Sequence, residues 1–310
     1  MIGNRNQLLI SIITPSLNRA DMIVTAIESV LAQNYPHFEH LIIDGGSTDG
    51  TLDVLAKYPH LKVISEPDNG MYDALNKGLK LAHGEILGFL NSDDLYAPGV
   101  FKEVAAHFAN ATVDAMAGRA EIFREGEDGN FENVMEIASS GPEHLLEQTV
   151  FGIPAFNAWF FRRSVFERIG TFDTGYRIIS DREFMIRLAL AGIVYARTDH
   201  LLYQYRQHAG SMTISGNKTN STKIVQEHLK MTDCFLRKTG MPEKAKQYLR
   251  KMRTRDTLSM AISHLHKREF GRAWFYAREG IWSDWGWPLK LASCAFHWLT
   301  HSVSGKISNA

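Results

Sequence analysis

The sequence predicts an α/β protein: a mostly parallel central sheet flanked by helices, then a C-terminal helical region. Short β-rich apolar runs recur through the first half of the chain, each halted by Pro, Gly or a polar turn. Stretches with helical spacing of apolar residues separate them, which is the rhythm of βαβ units. One run, Ile86-Leu87-Gly88-Phe89-Leu90, ends in Asn91-Ser92-Asp93-Asp94. That places two adjacent carboxylates where open α/β sheets bind ligands. Crowded carboxylates of this kind suit a hard divalent cation that also holds substrate phosphates.

Composition narrows the class. The 310 residues suit one large domain with an appendage, or two domains, and 45% hydrophobic residues supply a core. A formal net charge of zero argues against a bulk nucleic-acid binder. Cys234 and Cys294 make neither a disulfide framework nor a metal cluster, and are expected as small core hydrophobes in a reducing compartment. No basic flank precedes a long apolar core at the N-terminus, so no signal peptide is expected. No uninterrupted apolar run approaches the roughly 20 residues of a membrane span.

The elements follow in order. Leu8 to Thr14 reads as the first, central strand, stopped by Pro15. Ile23, Ala26, Ile27, Val30 and Leu31 mark a helix, with Asn18 or Asp21 as its cap. His40 to Asp44 is the second strand, and the turn from Gly45 to Thr51 leads into a second helix, with Asp49 placed to cap it. That turn fits neither the G-x-G-x-x-G nor the G-x-x-x-x-G-K-S/T pattern. Asp44, at a strand end, is placed to accept hydrogen bonds from a base or sugar. Leu61 to Ser65 is the third strand, Met71 to Ala82 a helix closed by Gly84, and Ile86 to Leu90 the fourth strand.

Thr14-Pro15-Ser16-Leu17-Asn18-Arg19, Ile43 to Thr51, Glu66 to Gly78 and Asn91-Ser92-Asp93-Asp94 together resemble the family 2 glycosyltransferases of the Rossmann-like GT-A fold, in order and spacing. The resemblance covers about the first 210 residues. It implies a nucleotide-diphospho-sugar donor, a divalent cation (Mn²⁺ or Mg²⁺) and inversion at the anomeric carbon. It implies that Thr14, Pro15 and Asn18 lie beside the nucleotide, that Asp44 meets the base, most plausibly uracil, and that Asp73 and Asn76 border the donor pocket, with helix-face packing and capping as the alternative for these two. Asn91-Ser92-Asp93 falls on the family's D-x-D position, with Asp93 at the metal-binding carboxylate. Asn91 departs from that pattern and removes a charge, although an amide oxygen still binds a cation or a ribose.

Beyond Asp94 a helix is expected over Val100 to Phe108, strands over Val113 to Gly118 and Ala120 to Phe123, and a charged turn from Arg124 to Asn130. Ser139 to Phe156 is a less periodic stretch broken by Gly141-Pro142 and Gly152-Ile153-Pro154, the kind of loop that carries acceptor specificity. Trp159 to Ser164 is a strand running into a helix, with Arg162 and Arg163 expected as surface charges rather than as contacts to an anionic acceptor. Gly170-Thr171-Phe172-Asp173 is a turn, and Asp181 starts the next helix, where the dipole favours a carboxylate. The stretch resembles the family's acidic motif, which implies Asp181 as general base and Glu183 in a supporting or structural role. Arg206-Gln207-His208-Ala209-Gly210-Ser211 resembles the family's closing loop, which implies that His208, with Arg206, reaches the metal or diphosphate.

From about Gly216 the pattern turns helical: Lys223 to Thr239, Pro242 to His266 and Glu269 to Trp282. Residues 1–215 are therefore expected as the catalytic domain and 216–310 as a helical region. Arg237 to Asp256 holds eight Lys or Arg against two Asp or Glu, a net of +6. That run reads as a solvated helix face. Beside it Trp274, Trp282, Trp285, Trp287 and Trp298 suit either attachment to an anionic membrane surface or a helical hairpin packed on the catalytic domain.

The expected activity is metal-dependent, inverting transfer of a sugar, from a UDP-sugar by preference, to a glycan or lipid-linked glycan acceptor in bacterial surface-polysaccharide assembly. The expected location is cytoplasmic or peripheral on the inner face of the cell membrane. The alternatives are a phosphohydrolase using Asp93 and Asp94, and a non-catalytic nucleotide-sugar-binding or assembly protein.

Overall fold

The computed structural model describes residues 8–126, 130–139, 141–208, 210–211 and 218–283, with backbone alone for 218–221 and 282–283. The chain divides into two compact units, residues 1–217 and 218–310.

The first unit is built on a nine-stranded sheet in the order β3-β2-β1-β4-β8-β6-β9-β5, with β7 beside β6. Four strands make its parallel half: β1 (Ile10–Ser16), β2 (Phe38–Asp44), β3 (Leu61–Ser65) and β4 (Ile86–Phe89). Their crossovers are α1 (Ile23–Leu31), α2 (Thr51–Leu55) and α3 (Met71–Leu81). The other half is mixed. It holds β5 (Leu95–Tyr96), β6 (Ala115–Glu125), β7 (Phe131–Ile137), β8 (Trp159–Arg162) and β9 (Tyr195–Arg206). There β8 runs antiparallel to β4 and β6, while β6 and β9 are parallel. Four further helices belong to this unit: α4 (Val100–Phe108), α5 (Leu145–Phe151), α6 (Arg163–Ile169) and α7 (Ser180–Leu190).

Both sheet faces are covered, and strand alternation divides the core. Ile10, Ile12, Met116 and Phe160 pack with α1 and α4, whereas Ile13, Phe89 and Phe161 pack with α3, α6 and α7. On the second face Phe89, Phe156, Phe172, Phe184 and Tyr72 form one aromatic cluster, with Phe172 5.5 Å from Phe89, 5.3 Å from Phe184 and 5.6 Å from Tyr72. It fixes the end of β4 relative to the starts of α3 and α7.

β1 does not stop at Pro15, contrary to expectation. It continues in register with β2 through Ser16 opposite Asp44. The backbone explains why this is tolerated. The carbonyl of Ile13 accepts from Leu90 on the β4 side. Pro15, two residues on, turns its N-less edge to the same side, which β4 has by then left. The two strands part there and a crevice opens.

Four other expectations change. Ala115 to Glu125 is one strand with register shifts rather than two strands. At its bend a Cβ on Gly118 would collide with the Leu202 side chain. Strand β7 and helix α5 fall where no element is expected. Arg162 and Arg163 are not surface charges. Arg162 donates to the carbonyls of Val113 (2.7 Å) and Phe108 (2.7 Å), and Arg163 to those of Ala82 (2.7 Å) and Gly84 (2.7 Å). Each satisfies carbonyls orphaned at a helix end. Cys234 is exposed rather than in a core, and Cys294 lies outside the described residues.

The second unit contains α8 (Lys218–Arg237), α9 (Glu243–His266) and α10 (Phe270–Ser283). Leu229, Met260, Ala261 and Tyr276 form a small core. Buried Arg253 joins the helices, donating to Asp233 (2.6 Å) and Glu279 (2.6 Å). Part of the basic run is thus consumed inside the unit: Arg250 and Lys246 pair with Glu243, and Arg255 with Asp256. None of the described helices is long and apolar enough to cross a membrane.

Candidate active site

The crevice is a cleft of about 570 Å³ beyond the carboxyl ends of β1 and β4. Its walls are Pro15 to Arg19, the first turns of α3, Asn91 to Asp94, Phe156-Asn157, Ile178, Asp181, Tyr205-Arg206 and Gly210-Ser211. Pro15, Asn18, Asn91, Ser92, Asp93 and Asp181, all singled out in the sequence, share this cleft.

The turn after β4 is held by its second carboxylate. Asp94 is 4% exposed, and both its oxygens are engaged. Oδ1 accepts from the Arg206 N–H (2.8 Å), and Oδ2 from the Tyr203 hydroxyl (2.8 Å) and Asn91 Nδ2 (2.9 Å). Burial, with the Asp93 charge next to it, pushes the Asp94 carboxyl up to about 7. Asp94 is therefore a tether from the turn to β9. Asp93 points the other way, its Oδ2 2.9 Å from His208 Nε2. His208 Nδ1 accepts the Gly210 N–H (3.2 Å), which puts the ring proton on Nε2, donating to Asp93. Arg206 braces the pair through the Asp93 carbonyl (3.1 Å), its guanidinium between the rings of Phe123 (5.1 Å) and Phe131 (5.5 Å).

This geometry accounts for Asn91. Its amide NH₂ faces a carboxylate, which a carboxylate in its place would oppose. Asn91→Asp is expected to lower stability at neutral pH by about 1–3 kcal/mol, because a buried acceptor loses its donor beside two like charges. The loss should shrink as acid protonates the cluster. Denaturant melts at two pH values check this, and a variant as stable as the parent at neutral pH would overturn the role given to the amide.

Asp181, in the first turn of α7, lines the same cleft. Its Oδ1 accepts from the Tyr72 hydroxyl (3.1 Å) and from the Arg182 N–H (2.7 Å). The carboxyl reaches the cleft surface but is otherwise enclosed, and this burial raises it above the usual carboxylate range against the pull of Arg182 and its hydrogen bonds. Its surroundings are braced from two sides. Arg182 donates to the carbonyls of Thr149, Val150 and Gly152 at the end of α5. Arg187, paired with Glu183 (2.8 Å), donates to the carbonyls of Ile169, Gly170 and Thr171 in the turn before α7. Glu183 is thus structural.

Four of the expected donor contacts lie elsewhere. Thr14 is buried, with Oγ1 2.9 Å from His40 Nε2. Asp44 is fully buried, and its Oδ2 accepts from the N–H groups of Gly46 (3.0 Å) and Ser47 (2.9 Å) and the Ser65 hydroxyl (2.8 Å), while the Ser47 hydroxyl takes Oδ1 (2.5 Å). Asp73 accepts from the Asn69 N–H (3.0 Å) at the start of its own helix. Asn76 exchanges two hydrogen bonds with the Phe172 backbone (2.8 and 3.0 Å), joining α3 to the turn before α7. None of the four lines the cleft.

Asn18 is not a helix cap either. It adopts a left-handed backbone (φ 52°), and its side chain accepts from the Thr48 N–H (2.9 Å), so it fixes the cleft rim to the glycine-rich turn. Asp49 does hold the start of α2 as expected, accepting from Thr51 (3.0 Å), and also from Ala20 (3.1 Å). The residues missed in the sequence are Ser16, Tyr72, Asp94 as a tether, and Arg182. Ser16 Oγ is buried at the cleft wall with no hydrogen-bond partner, an orphan that a ligand hydroxyl or phosphate would satisfy.

Among the described residues no group of three or more His, Cys, Asp or Glu is placed to hold a metal. The chemistry of Asp93 with His208 nevertheless fits a divalent ion. Asp93 lines the cleft and the His208 imidazole, not itself among the lining residues, stands 2.9 Å from its Oδ2, and Mg²⁺ or Mn²⁺ held with substrate phosphates needs few protein donors.

Comparison with known proteins adds the lineage. The family model described as "Glycosyl transferase family 2" matches residues 11–170. The PGL/p-HBAD biosynthesis glycosyltransferase of Mycobacterium bovis is 30% identical over 214 residues, which cover 65% of this chain and 78% of that protein. Among solved structures, S. aureus TarS 1–349 in complex with UDP-GlcNAc aligns at TM-score 0.63 and 20% identity over 80% of this chain and 72% of that one, and a longer TarS chain is covered to 43%. The mannosyltransferase PcManGT from Pyrobaculum calidifontis, in complex with GDP-Man and Mn2+, aligns at TM-score 0.59 and 18% identity over 95% of this chain and 81% of that one. At these identities the solved structures establish the fold.

Proposed function

Since the chain belongs to glycosyltransferase family 2, a family of nucleotide-sugar-dependent transferases, we propose that its cleft takes a nucleotide-diphospho-sugar, UDP-linked by preference, with Mn²⁺ or Mg²⁺ at Asp93 and His208. The single observation that carries this reading is that one cleft is lined both by Asp93, paired with His208, and by the enclosed Asp181 carboxylate. Asp181 takes the proton of an acceptor hydroxyl as its oxygen attacks the anomeric carbon from the face opposite the leaving diphosphate. The bond from that carbon to the diphosphate breaks, and the configuration inverts. A bound cation supplies charge neutralisation for the departing diphosphate. His208 Nε2 would hold a cation only in the tautomer with the proton on Nδ1, a tautomer that the Gly210 N–H donated to Nδ1 disfavours.

The donor's nucleotide is assigned to Pro15, Ser16 and Asn18, and its sugar to the side of Asn91 and Ser92. Asp44 acts behind them by shaping the glycine-rich turn, and base recognition through Oδ1 would require the Ser47 hydroxyl to share it. TarS with UDP-GlcNAc supports a UDP donor, PcManGT with GDP-Man and Mn2+ supports the cation, and the M. bovis relative, named for PGL/p-HBAD biosynthesis, supports a biosynthetic transfer. The saturated Asp94 disfavours a two-carboxylate phosphohydrolase.

Thermal melts of the full chain with UDP-, GDP- and dTDP-sugars, each with Mn²⁺ or with EDTA, test the proposal. One donor is expected to raise the melting temperature, and to do so more with the cation, by mass action. No stabilisation by any nucleotide-sugar would sink it.

A further inference from the structure

The outer face of α10 has no partner among the described residues. Phe270 and Trp274 are each 66% exposed, Phe275 is 44% exposed, and Leu265 at the end of α9 is 43% exposed. The rings at 270 and 274 are one helical turn apart, with Phe275 alongside. The opposite side of α10, through Ala273 and Tyr276, is buried against α9, with Tyr276 stacked on His264 at 5.5 Å. The exposed stripe therefore takes no part in the packing among the described residues. Exposed aromatic clusters on a soluble surface mark interaction sites.

Most of the charges around it are basic, although Arg278 stands 3.6 Å from Glu279. Lys267, Arg268, Arg272 and Arg278 are exposed there. The one acidic residue between Leu265 and Arg278 is Glu269, whose carboxylate is taken by His264 (2.6 Å) and Arg272 (3.4 Å). Arg278 lies over the Phe275 ring at 5.7 Å. The basic run from Arg237 to Asp256 is likewise partly spent on ion pairs within the unit.

We propose that this corner of the helical unit, the α9–α10 turn and the outer face of α10, docks on an anionic lipid surface. The rings enter the headgroup region while the long cations reach the lipid phosphates. Charge complementarity favours lipid over a second copy of the chain, because two such patches face to face would set cation against cation. The sequence beyond the described residues continues in the same character, with Trp285, Trp287, Phe296 and Trp298. The inference is independent of the sugar-transfer reading, since its readout is attachment and not turnover.

Flotation of the full chain with vesicles of phosphatidylcholine, with and without phosphatidylglycerol, tests the proposal. The parent should float with the anionic vesicles at low salt, fail to float with phosphatidylcholine alone, and be released by high salt. Arg272→Gln with Arg278→Gln should lower partitioning by about 25-fold, about fivefold for each charge removed. Phe270→Ser with Trp274→Ser should lower it by at least ~10-fold, with unchanged circular dichroism melts as the fold control. A parent that does not float overturns the proposal. Variants that float like the parent assign attachment to residues 284–310 instead and also overturn it. So does concentration-dependent self-association that Trp274→Ser abolishes in a parent indifferent to vesicles.

Discussion

Asp181→Asn is expected to lower turnover by roughly 10²–10⁴-fold or more, the range typical of a lost general base. Donor affinity should barely change, because the proposed donor contacts are with Pro15, Ser16, Asn18, Asn91 and Ser92 and not with Asp181. The amide oxygen can still accept from Tyr72 and from the Arg182 N–H, so the start of α7 keeps its geometry. Stability should not fall, and the sign follows from linkage. Burial raises the folded-state pKa of Asp181 above that of an ordinary, solvated aspartate. The folded state then binds more protons than the unfolded one between those two values, so this carboxyl costs stability as pH rises through that window. At neutral pH the Asn variant should therefore melt no lower than the parent. The same shift places the acid limb of the parent's turnover above the usual carboxylate range, because the base must be ionised to act. Single-turnover rates across pH check both points. Full activity in the Asn variant would reduce Asp181 to a helix-start residue and leave the inverting step without its proton acceptor.

The parallel half of the fold was legible because each of its strands is a short apolar run and each crossover helix carries an apolar stripe. Ile12 and Ile13, pointing to opposite core layers, are typical of it. Strand β7 was not legible: Phe131 to Glu136 are all exposed, so no alternation marks them. Helix α5 lies between Gly141-Pro142 and Gly152, breakers that read as a loop, and its far end is stabilised by Arg182 from a distant element. Arg162 and Arg163 show the same limit. Adjacent arginines look solvated, and only the tertiary structure brings helix-end carbonyls to them. In the site, the motif positions located the crevice but not the direction of each side chain. Tyr72 reaches Asp181, whereas its neighbour Asp73 turns back to cap its own helix, and one peptide separates them. The distinction between Asp93 and Asp94 was equally hidden, because it depends on Tyr203 and Arg206 more than a hundred residues away.

That distinction sets the second large effect. Asp93→Ala is expected to abolish the gain in donor affinity that Mn²⁺ confers and to lower turnover by on the order of 10²–10³-fold, equivalent to several kcal/mol of lost charge stabilisation on the leaving diphosphate. The fold should survive. The Asp93 side chain is 19% exposed and its lost partner is a single histidine, while the turn stays tethered through Asp94 to Tyr203 and Arg206. Calorimetric titration of the nucleoside diphosphate with Mn²⁺ and with EDTA separates the cases. The parent should bind more tightly with the ion, and the variant should bind equally weakly in both. His208→Ala should show a smaller loss in the same titration, since a water can replace a neutral nitrogen ligand more readily than a charged oxygen. If Asp93→Ala kept its Mn²⁺-dependent affinity, the cation would have to be held by Asp94. That carboxylate would first have to release the three donors that now fix the turn, so the ion would bind more weakly and raise the melting temperature less than it does in the parent.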